Sequence, residues 1–439
     1  MDGQHMISAL PPAFLHRIRS QLGNETENFV RAMNEPAIRG IRFNPLKPCT
    51  ENVRWMTGDR IPWEENGWYL SENETPGTTI WHEAGAFYLQ DPAAMLPVKV
   101  LDPRPGEKIL DLCSAPGGKA TQIGCAMQGK GLLVCNEIVP KRALILSRNI
   151  ERIGITNTVV TGARPDILAS RWKECFDAVL ADAPCSGEGM FRREPETRNE
   201  WSPEHASGCV SRQRDILSAA AELVRPGGRL VYSTCTFNPD ENENMIRWFL
   251  NSHSDWEAES FQLPGADGIN GFFTCYPHRT KGEGQFAALL RKKGHGECRF
   301  VPDTSLPKAV SRDAGRFADS FPGLPNATHM FGHTLIHTEF LPDIKGISVY
   351  RIGLHLGEIH DNYFIPDHAS AYIAASSMQK SIVNPELAVR YMAGETFAGN
   401  ESGWTVVTCS DMPLGWGKGT GGIIKNHYPK GLRNSLLRP

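Results

Sequence analysis

At 439 residues the chain exceeds one ordinary core, so two or three domains are expected, each able to bury a proper interior. A formal net charge of −3 at pH 7 excludes a surface coated in positive charge, as in a general nucleic-acid packager, but leaves room for local basic patches. Eleven cysteines, scattered singly without a CxxC pair, support neither a zinc site nor a disulfide framework, so no metal is expected. Residues Met1 to Leu10 lack the basic-then-apolar order of a leader, and no stretch approaches the ~18 apolar residues of a membrane span, so a cytoplasmic monomer without a membrane partner is expected.

In chain order, Pro11 to Met33 carries apolar residues at helical spacing (Phe14, Leu15, Ile18, Leu22, Phe29, Val30), which predicts a small helical N-terminal unit. A strand begins at Gly40-Ile41-Arg42-Phe43-Asn44. From Lys108 the pattern becomes short apolar strands separated by helices: Lys108 to Cys113, Leu132 to Glu137, Thr158 to Gly162, Phe176 to Asp182 and Arg229 to Thr234. Nearly continuous apolar runs are the mark of parallel strands buried on both faces, so the expected fold is α/β with a doubly wound sheet. Gly294 to Pro325, rich in Gly, Pro and charge, is expected to be a linker, and alternation over Ile347 to Leu354 and Gly403 to Thr408 predicts a small β-rich C-terminal domain.

Charge is uneven along the chain. Met412 to Pro439 holds no acidic residue but has Lys418, Lys425, Lys430, Arg433 and Arg438; a second basic stretch runs through Arg279, Lys281, Arg291, Lys292, Lys293 and Arg299. Such runs are most often solvated faces. With Trp404, Trp416, His427 and Tyr428 interleaved, the C-terminal run equally fits phosphate contacts and base stacking.

Ile109-Leu110-Asp111-Leu112-Cys113-Ser114-Ala115-Pro116-Gly117-Gly118-Lys119 reads as a strand, a tight turn and a helix start. Glycines at 117 and 118 would let backbone amides approach a ligand, and a helix N-terminus favours negative charge. Neither a Walker loop nor GxGxxG spacing is present. Glu137 ends the second strand, where an acidic residue holds the ribose hydroxyls of nucleotide-type cofactors. Downstream, Asp182-Ala183-Pro184-Cys185 and Ser233-Thr234-Cys235-Thr236 each place a cysteine at a predicted strand end, the edge at which an open α/β sheet carries its active site. A lone strand cysteine is usually a small buried hydrophobe, as expected for Cys113, Cys135 and Cys175. Two at one edge, behind a glycine-rich loop, point to cysteine chemistry on a substrate that a second molecule also attacks.

The runs DLCSAPGGK (111–119), ADAPCSGEG (181–189) and YSTCTFNPDENE (232–243) resemble, in order and spacing, the S-adenosylmethionine-dependent RNA cytosine-5 methyltransferases of the Sun type. The likeness extends to YLQDP (88–92), to MFRR (190–193) with WSP (201–203), and to the C-terminal GLHLGE (353–358), LGWGK (414–418) and KNHYPKGLR (425–433), a pattern similar to the ribosomal small-subunit methyltransferase F subgroup. It implies a Rossmann-like methyltransferase domain over residues 96–294, an N-terminal RNA-binding extension over 1–95, a linker over 295–325 and a PUA-like RNA-binding domain over 326–439. It further implies S-adenosyl-L-methionine as cofactor and RNA, 16S rRNA or the small ribosomal subunit, as partner.

By the same resemblance Cys235 adds to carbon 6 of cytosine, Cys185 releases the product, and Asp182 faces both the base and the cofactor. Cofactor contacts would come from Cys113, Ser114, Ala115, Pro116, Gly117, Gly118, Lys119, Glu137, Arg142 and Asp182. The chemistry needs such help: carbon 5 of cytosine is a poor nucleophile until a thiolate at carbon 6 makes the ring an enamine. Relatives often carry Asp near the end of the third strand; here the run is Thr161-Gly162-Ala163-Arg164-Pro165-Asp166, with Asp166 the substitute or the adenine held by backbone. Arg192 and Arg193 stand where they would hold flanking phosphates or form a surface pair. The same chemistry on transfer RNA, or a non-catalytic RNA-binding protein with a retained cofactor fold, are the alternatives.

Overall fold

The computed structural model describes residues 9–47, 57–71, 73–300, 317, 320–360 and 363–438. Its centre is a nine-stranded sheet. Five parallel strands form the middle: β1 (Lys108–Asp111), β2 (Leu132–Asn136), β3 (Thr158–Thr161), β4 (Phe176–Asp182) and β5 (Val224–Thr234). They are flanked by β6 (Trp256–Ala258), β7 (Phe272–Cys275), β8 (Gln285–Lys292) and β9 (Val349–Ile352). The order runs β6-β8-β5-β4-β1-β2-β3-β9, with β7 also on β8; all contacts of β6 to β9 are antiparallel.

Successive residues of each central strand enter different cores, which is why the strands read as unbroken apolar runs. Leu110, Val134, Val159, Val179 and Leu230 pack on one face, while Ile109, Leu133, Val160, Leu180 and Val231 pack on the other. Helices α1 (Gly118–Met127), α2 (Pro140–Ile153), α3 (Pro165–Arg171), α4 (Pro203–Leu223) and α5 (Glu243–Ser252) cover the two faces. No helix of the described residues is long and apolar enough to cross a membrane.

The expected helical N-terminal unit consists of two helices, Pro12–Leu22 and Thr26–Ala32, separated by a 3-10 turn over Gly23–Glu25. Phe14, Ile18 and Phe29 bury against Phe191, Phe237 and Tyr276, so the helices brace the loops that follow β4 and β5. The strand expected at Gly40 spans Gly40–Phe43 in a four-stranded antiparallel sheet. At the C-terminal end there is a four-stranded sheet over 329–366 and a five-stranded sheet over 380–426. The latter contributes Val407 and Leu414 to a core shared with Ile41, Phe43 and Phe87, which docks the C-terminal sheet on the N-terminal one.

Two local expectations change. The alternation at Ile347 to Leu354 belongs to two sheets: Val349–Ile352 extends the central sheet beside β3, and Leu354–His360 is an inner strand of the four-stranded one. Trp416 and Tyr428 are buried in the C-terminal cores, not displayed for stacking. Of the linker expected from Gly294 to Pro325, residues 301–316 and 318–319 lie outside the described residues, as does the segment 1–8 of the N-terminus.

Candidate active site

Parallel pairing of β4 with β5 places Asp182 opposite Ser233, so both cysteine motifs leave the sheet side by side at its carboxyl edge. Ser233 Oγ donates to Asp182 Oδ1, and Gln285 Nε2 from β8 donates to the same oxygen at 3.3 Å. Two and three residues further on, Cys235 Sγ and Cys185 Sγ stand 3.3 Å apart, and the Cys235 backbone N–H also donates to the Cys185 sulfur at 3.3 Å. Both thiols are partly exposed.

The loops carrying these thiols are bound together by buried polar groups. Glu241 accepts from the Ser186 backbone N–H at 2.9 Å, from Gln213 Nε2 at 2.9 Å and from Asn238 Nδ2 at 3.3 Å. Glu188 accepts from the Trp201 indole at 3.1 Å and from the Phe237 N–H at 3.1 Å, and pairs with Arg17 of the first helix. Gly189 donates to the Cys235 carbonyl at 2.8 Å, and a Cβ there would come within 2.9 Å of that oxygen, so only glycine allows the loops to approach so closely. The contact with Cys235, and then burial, hold the Cys185 thiol well above its ordinary range. Held in this way, the Cys185 thiol stays protonated at neutral pH.

Beside them, Lys119 Nζ sits 2.8 Å from Asp182 Oδ2. Burial alone would lower the Lys119 pKa, but Asp182 overrides it and the group lies above its ordinary value. The turn before α1 relies on Gly117 at φ 112°. Ser114 is locked within it, its N–H donating to the Asn136 carbonyl at 2.9 Å and its hydroxyl to the Asp111 carbonyl at 2.7 Å. Arg142 ties the turn to β2: it donates to the Ala115 carbonyl at 2.9 Å and lies 3.1 Å from Glu137 Oε2. Burial pushes the Cys113 thiol far up, leaving it uncharged.

A cavity of about 1070 Å³ runs along this edge, lined by Cys113, Ala115, Glu137, Arg142, Asp182, Cys185 and Cys235. Of the residues singled out from the sequence, Ser114, Pro116, Gly117, Gly118 and Lys119 do not line it. The first four shape the turn, and Lys119 pairs with Asp182, which does line it. The lining joins a buried carboxylate, Glu137, to the apolar side chains of Leu112, Ile138, Val139 and Ala169, a composition that suits a nucleoside.

Residues 98–291 match the family described as 16S rRNA methyltransferase RsmB/F, 10–92 the N-terminal domain of RsmF, 317–372 its first C-terminal domain and 383–434 its PUA domain. Ribosomal RNA small subunit methyltransferase F of Escherichia coli (strain SE11) is 31% identical over 98% of this chain and 97% of its own length. The chain belongs to the RsmB/F family. The protein of the same designation from Klebsiella pneumoniae (strain 342) is 30% identical over 96% of each chain. Among solved structures, a methyltransferase homolog from Pyrococcus horikoshii is 28% identical with a TM-score of 0.56, covering 64% of this chain and 94% of that one. NSun6 from the same organism, solved with SFG, shares the fold at 22% identity and a TM-score of 0.58, covering 66% of this chain and 100% of that one.

Within this RsmB/F chain several cavity residues escaped the sequence reading. Arg212, Asp215, Ile216, Ala219 and Glu222 present one face of α4, and Pro165 and Ser170 flank it from α3. Their spacing of three and four along α4 was a usable signal, but it equally describes a helix packed on a sheet. Asp166 does line the cavity, bound by Arg164 through contacts of 3.0 and 2.9 Å. Arg192 is corrected: it is buried, with Nε 2.7 Å from Glu283 and further bonds to the Ala32 and Gly282 carbonyls, so it holds the fold and meets no phosphate. Arg193 is exposed.

Proposed function

We propose that this protein transfers a methyl group from S-adenosylmethionine to carbon 5 of a cytidine in small-subunit ribosomal RNA, through a covalent bond between Cys235 and carbon 6 of the base. The observation that carries the reading is the contact of two thiols, 3.3 Å apart, in the wall of a cavity of about 1070 Å³ that Asp182 also lines. Bound there, the sulfonium cofactor supplies an electrophilic methyl group. Glu137 would accept from its ribose hydroxyls, with Arg142 holding that carboxylate and the Ala115 turn in place. Residues 1–95 and 326–439 would present the RNA to the transferase domain at 96–294.

The target base must be out of its stack to reach Cys235, so it is single-stranded or flipped. Asp182, fixed by Ser233, Gln285 and Lys119, would hydrogen-bond the ring as the Cys235 thiolate forms its bond to carbon 6 and electrons move toward carbon 5. After methylation, carbon 5 must lose its proton before the Cys235–carbon 6 bond breaks and restores the aromatic ring. Cys185 is suited to take that proton. Its pKa is high first because of Cys235, and a Cys235 tied up as a thioether can no longer exert that effect.

The test is asymmetric. With RNA and cofactor, Cys185→Ala should accumulate a protein–RNA adduct that survives denaturing gels, whereas Cys235→Ala should form none and methylate nothing. An adduct on Cys235→Ala would invert the two roles. Bisulfite sequencing of ribosomal and transfer RNA from a deletion strain identifies the substrate, and a methyl group missing from transfer RNA alone would replace the ribosomal assignment.

A further inference from the structure

Arg17, on the helix Pro12–Leu22, turns inward. Its Nη1 donates to the Phe237 carbonyl at 3.2 Å, its Nη2 donates to Glu188, and its guanidinium carbon lies 5.5 Å from the centre of the Phe14 ring. Four residues on, Gln21 Nε2 donates to the same Phe237 carbonyl at 3.0 Å and to the Tyr276 hydroxyl at 2.8 Å, and its Oε1 accepts from Arg17 at 3.2 Å. Glu188 follows Cys185 by three residues and Phe237 follows Cys235 by two. One arginine from outside the transferase domain therefore joins the two thiol loops.

The acceptors it joins are themselves fixed. Phe237 is fully buried, its ring stacked on Tyr276 at 5.5 Å and edge-on to Phe29 at 5.1 Å between centroids. Glu188 is fully buried as well; burial raises its pKa and Arg17 opposes that rise. At the far end of the helical unit the direction of donation reverses. Arg192 and Arg198, from the segment that follows Cys185, donate to the Ala32 and Met33 carbonyls at 3.1 and 3.3 Å, satisfying groups that a helix end leaves free. The unit is thus fastened to the Cys185 loop at both ends, and the Arg17 nitrogens that bond these loops face protein acceptors.

We infer that Arg17, seconded by Gln21, is a positioning residue for the thiol pair: through Glu188 and Phe237 it sets the spacing of Cys185 and Cys235, so the N-terminal helical unit serves the chemical step itself. A catalytic group displaced by about 1 Å can lose about 100-fold in rate, so a brace at this distance from the thiols has kinetic weight. The kinetic consequence rests on the methyl-transfer reading, whereas the spacing of the thiols does not.

Two measurements on the full-length protein test it. With S-adenosylmethionine and small-subunit ribosomal RNA, naked and in assembled subunits, Arg17→Met should lower kcat at least about tenfold and leave KM for RNA within about twofold. Arg17→Lys keeps the charge beside Glu188 but cannot reach both acceptors, so it should recover the melting temperature and only part of kcat. Without RNA, dibromobimane reads the spacing directly, because it fluoresces only after alkylating two neighbouring thiols; Cys185→Ser sets the background. Bridging should be at least about threefold slower in Arg17→Met than in wild type. Should Arg17→Met fail to fold by circular dichroism, Arg17→Lys and the uncharged change Gln21→Met carry both measurements. A raised KM with kcat and bridging unchanged would make Arg17 an RNA contact and overturn the inference, as would folded variants that match wild type throughout. If wild type methylates no RNA, the proposed function falls, and the bridging rates still decide whether Arg17 sets the thiol spacing.

Discussion

Cys185 Sγ and Cys235 Sγ approach to 3.3 Å across two loops that share no covalent neighbour, each leaving an adjacent parallel strand. A disulfide needs about 2.05 Å between sulfurs, so a small loop movement would close the gap. Hydrogen peroxide should therefore convert the pair to a disulfide, the two thiols giving up two hydrogens as peroxide becomes water. Intact mass should fall by about 2 Da as methylation is lost, and dithiothreitol should restore both. Cys185→Ser should remove the reversible mass loss; a loss that persists would place the oxidation elsewhere.

The central strands and both cysteine motifs were legible because their causes are local. Strands buried on two faces must be apolar throughout, and the chemistry fixes residue types at the strand ends. The placement of β9 was not legible, since alternation at Val349–Ile352 states that a strand forms and not which sheet it joins. Nor was the burial of Trp416, whose indole donates to the Asp367 carbonyl at 2.9 Å from a distant segment. Arg192 misled for a similar reason: its partner Glu283 lies far along the chain, and nothing near position 192 announces it.

Neighbouring arginines should accordingly behave in opposite ways. Arg192→Ala leaves Glu283 as a buried charge without its partner and should cost about 3–5 kcal/mol of stability, read by urea unfolding. Arg193→Ala, on an exposed side chain, should shift stability by less than about 0.5 kcal/mol while weakening RNA affinity and its salt dependence. Equal melting curves for the two variants would refute the structural role of Arg192.

Lys119 links the glycine turn before α1 to the Asp182 carboxylate. Burial, and then Asp182, raise Asp111 to about 7, with Lys119 opposing them, so three charged groups are balanced at this edge. Lys119→Met should lower kcat/KM by about 100-fold or more. Adding Asp182→Asn should recover melting temperature without recovering activity, because the charge imbalance is relieved but the bond to the substrate ring is not. Recovery of activity in the double variant would show that the pair is structural only.

Acid sensitivity should originate where the central sheet meets the four-stranded one. There Arg351 of β9 pairs with Glu151 at 2.7 Å, and His355, Asp367, His368, Tyr372 and Lys47 surround them. Burial, and then Arg351, lower His355 to about 3; burial, and then Lys47 and Arg351 against the pull of Glu151, lower His368 to about 4. An unfolded histidine near 6.5 binds a proton that these two refuse, so between pH 6.5 and about 4 each costs the fold about 1.4 kcal/mol per pH unit as pH falls. Asp367 acts in the opposite sense: burial raises it to about 6, so the native state binds its proton first and gains on acidification. Two histidines outweigh one aspartate. Relative to the double variant His355→Gln, His368→Gln, the wild type should lose about 4 kcal/mol of unfolding free energy between pH 7 and pH 5, measured by urea titration at each pH. Parallel stability curves for the two proteins would move the acid sensitivity away from this junction.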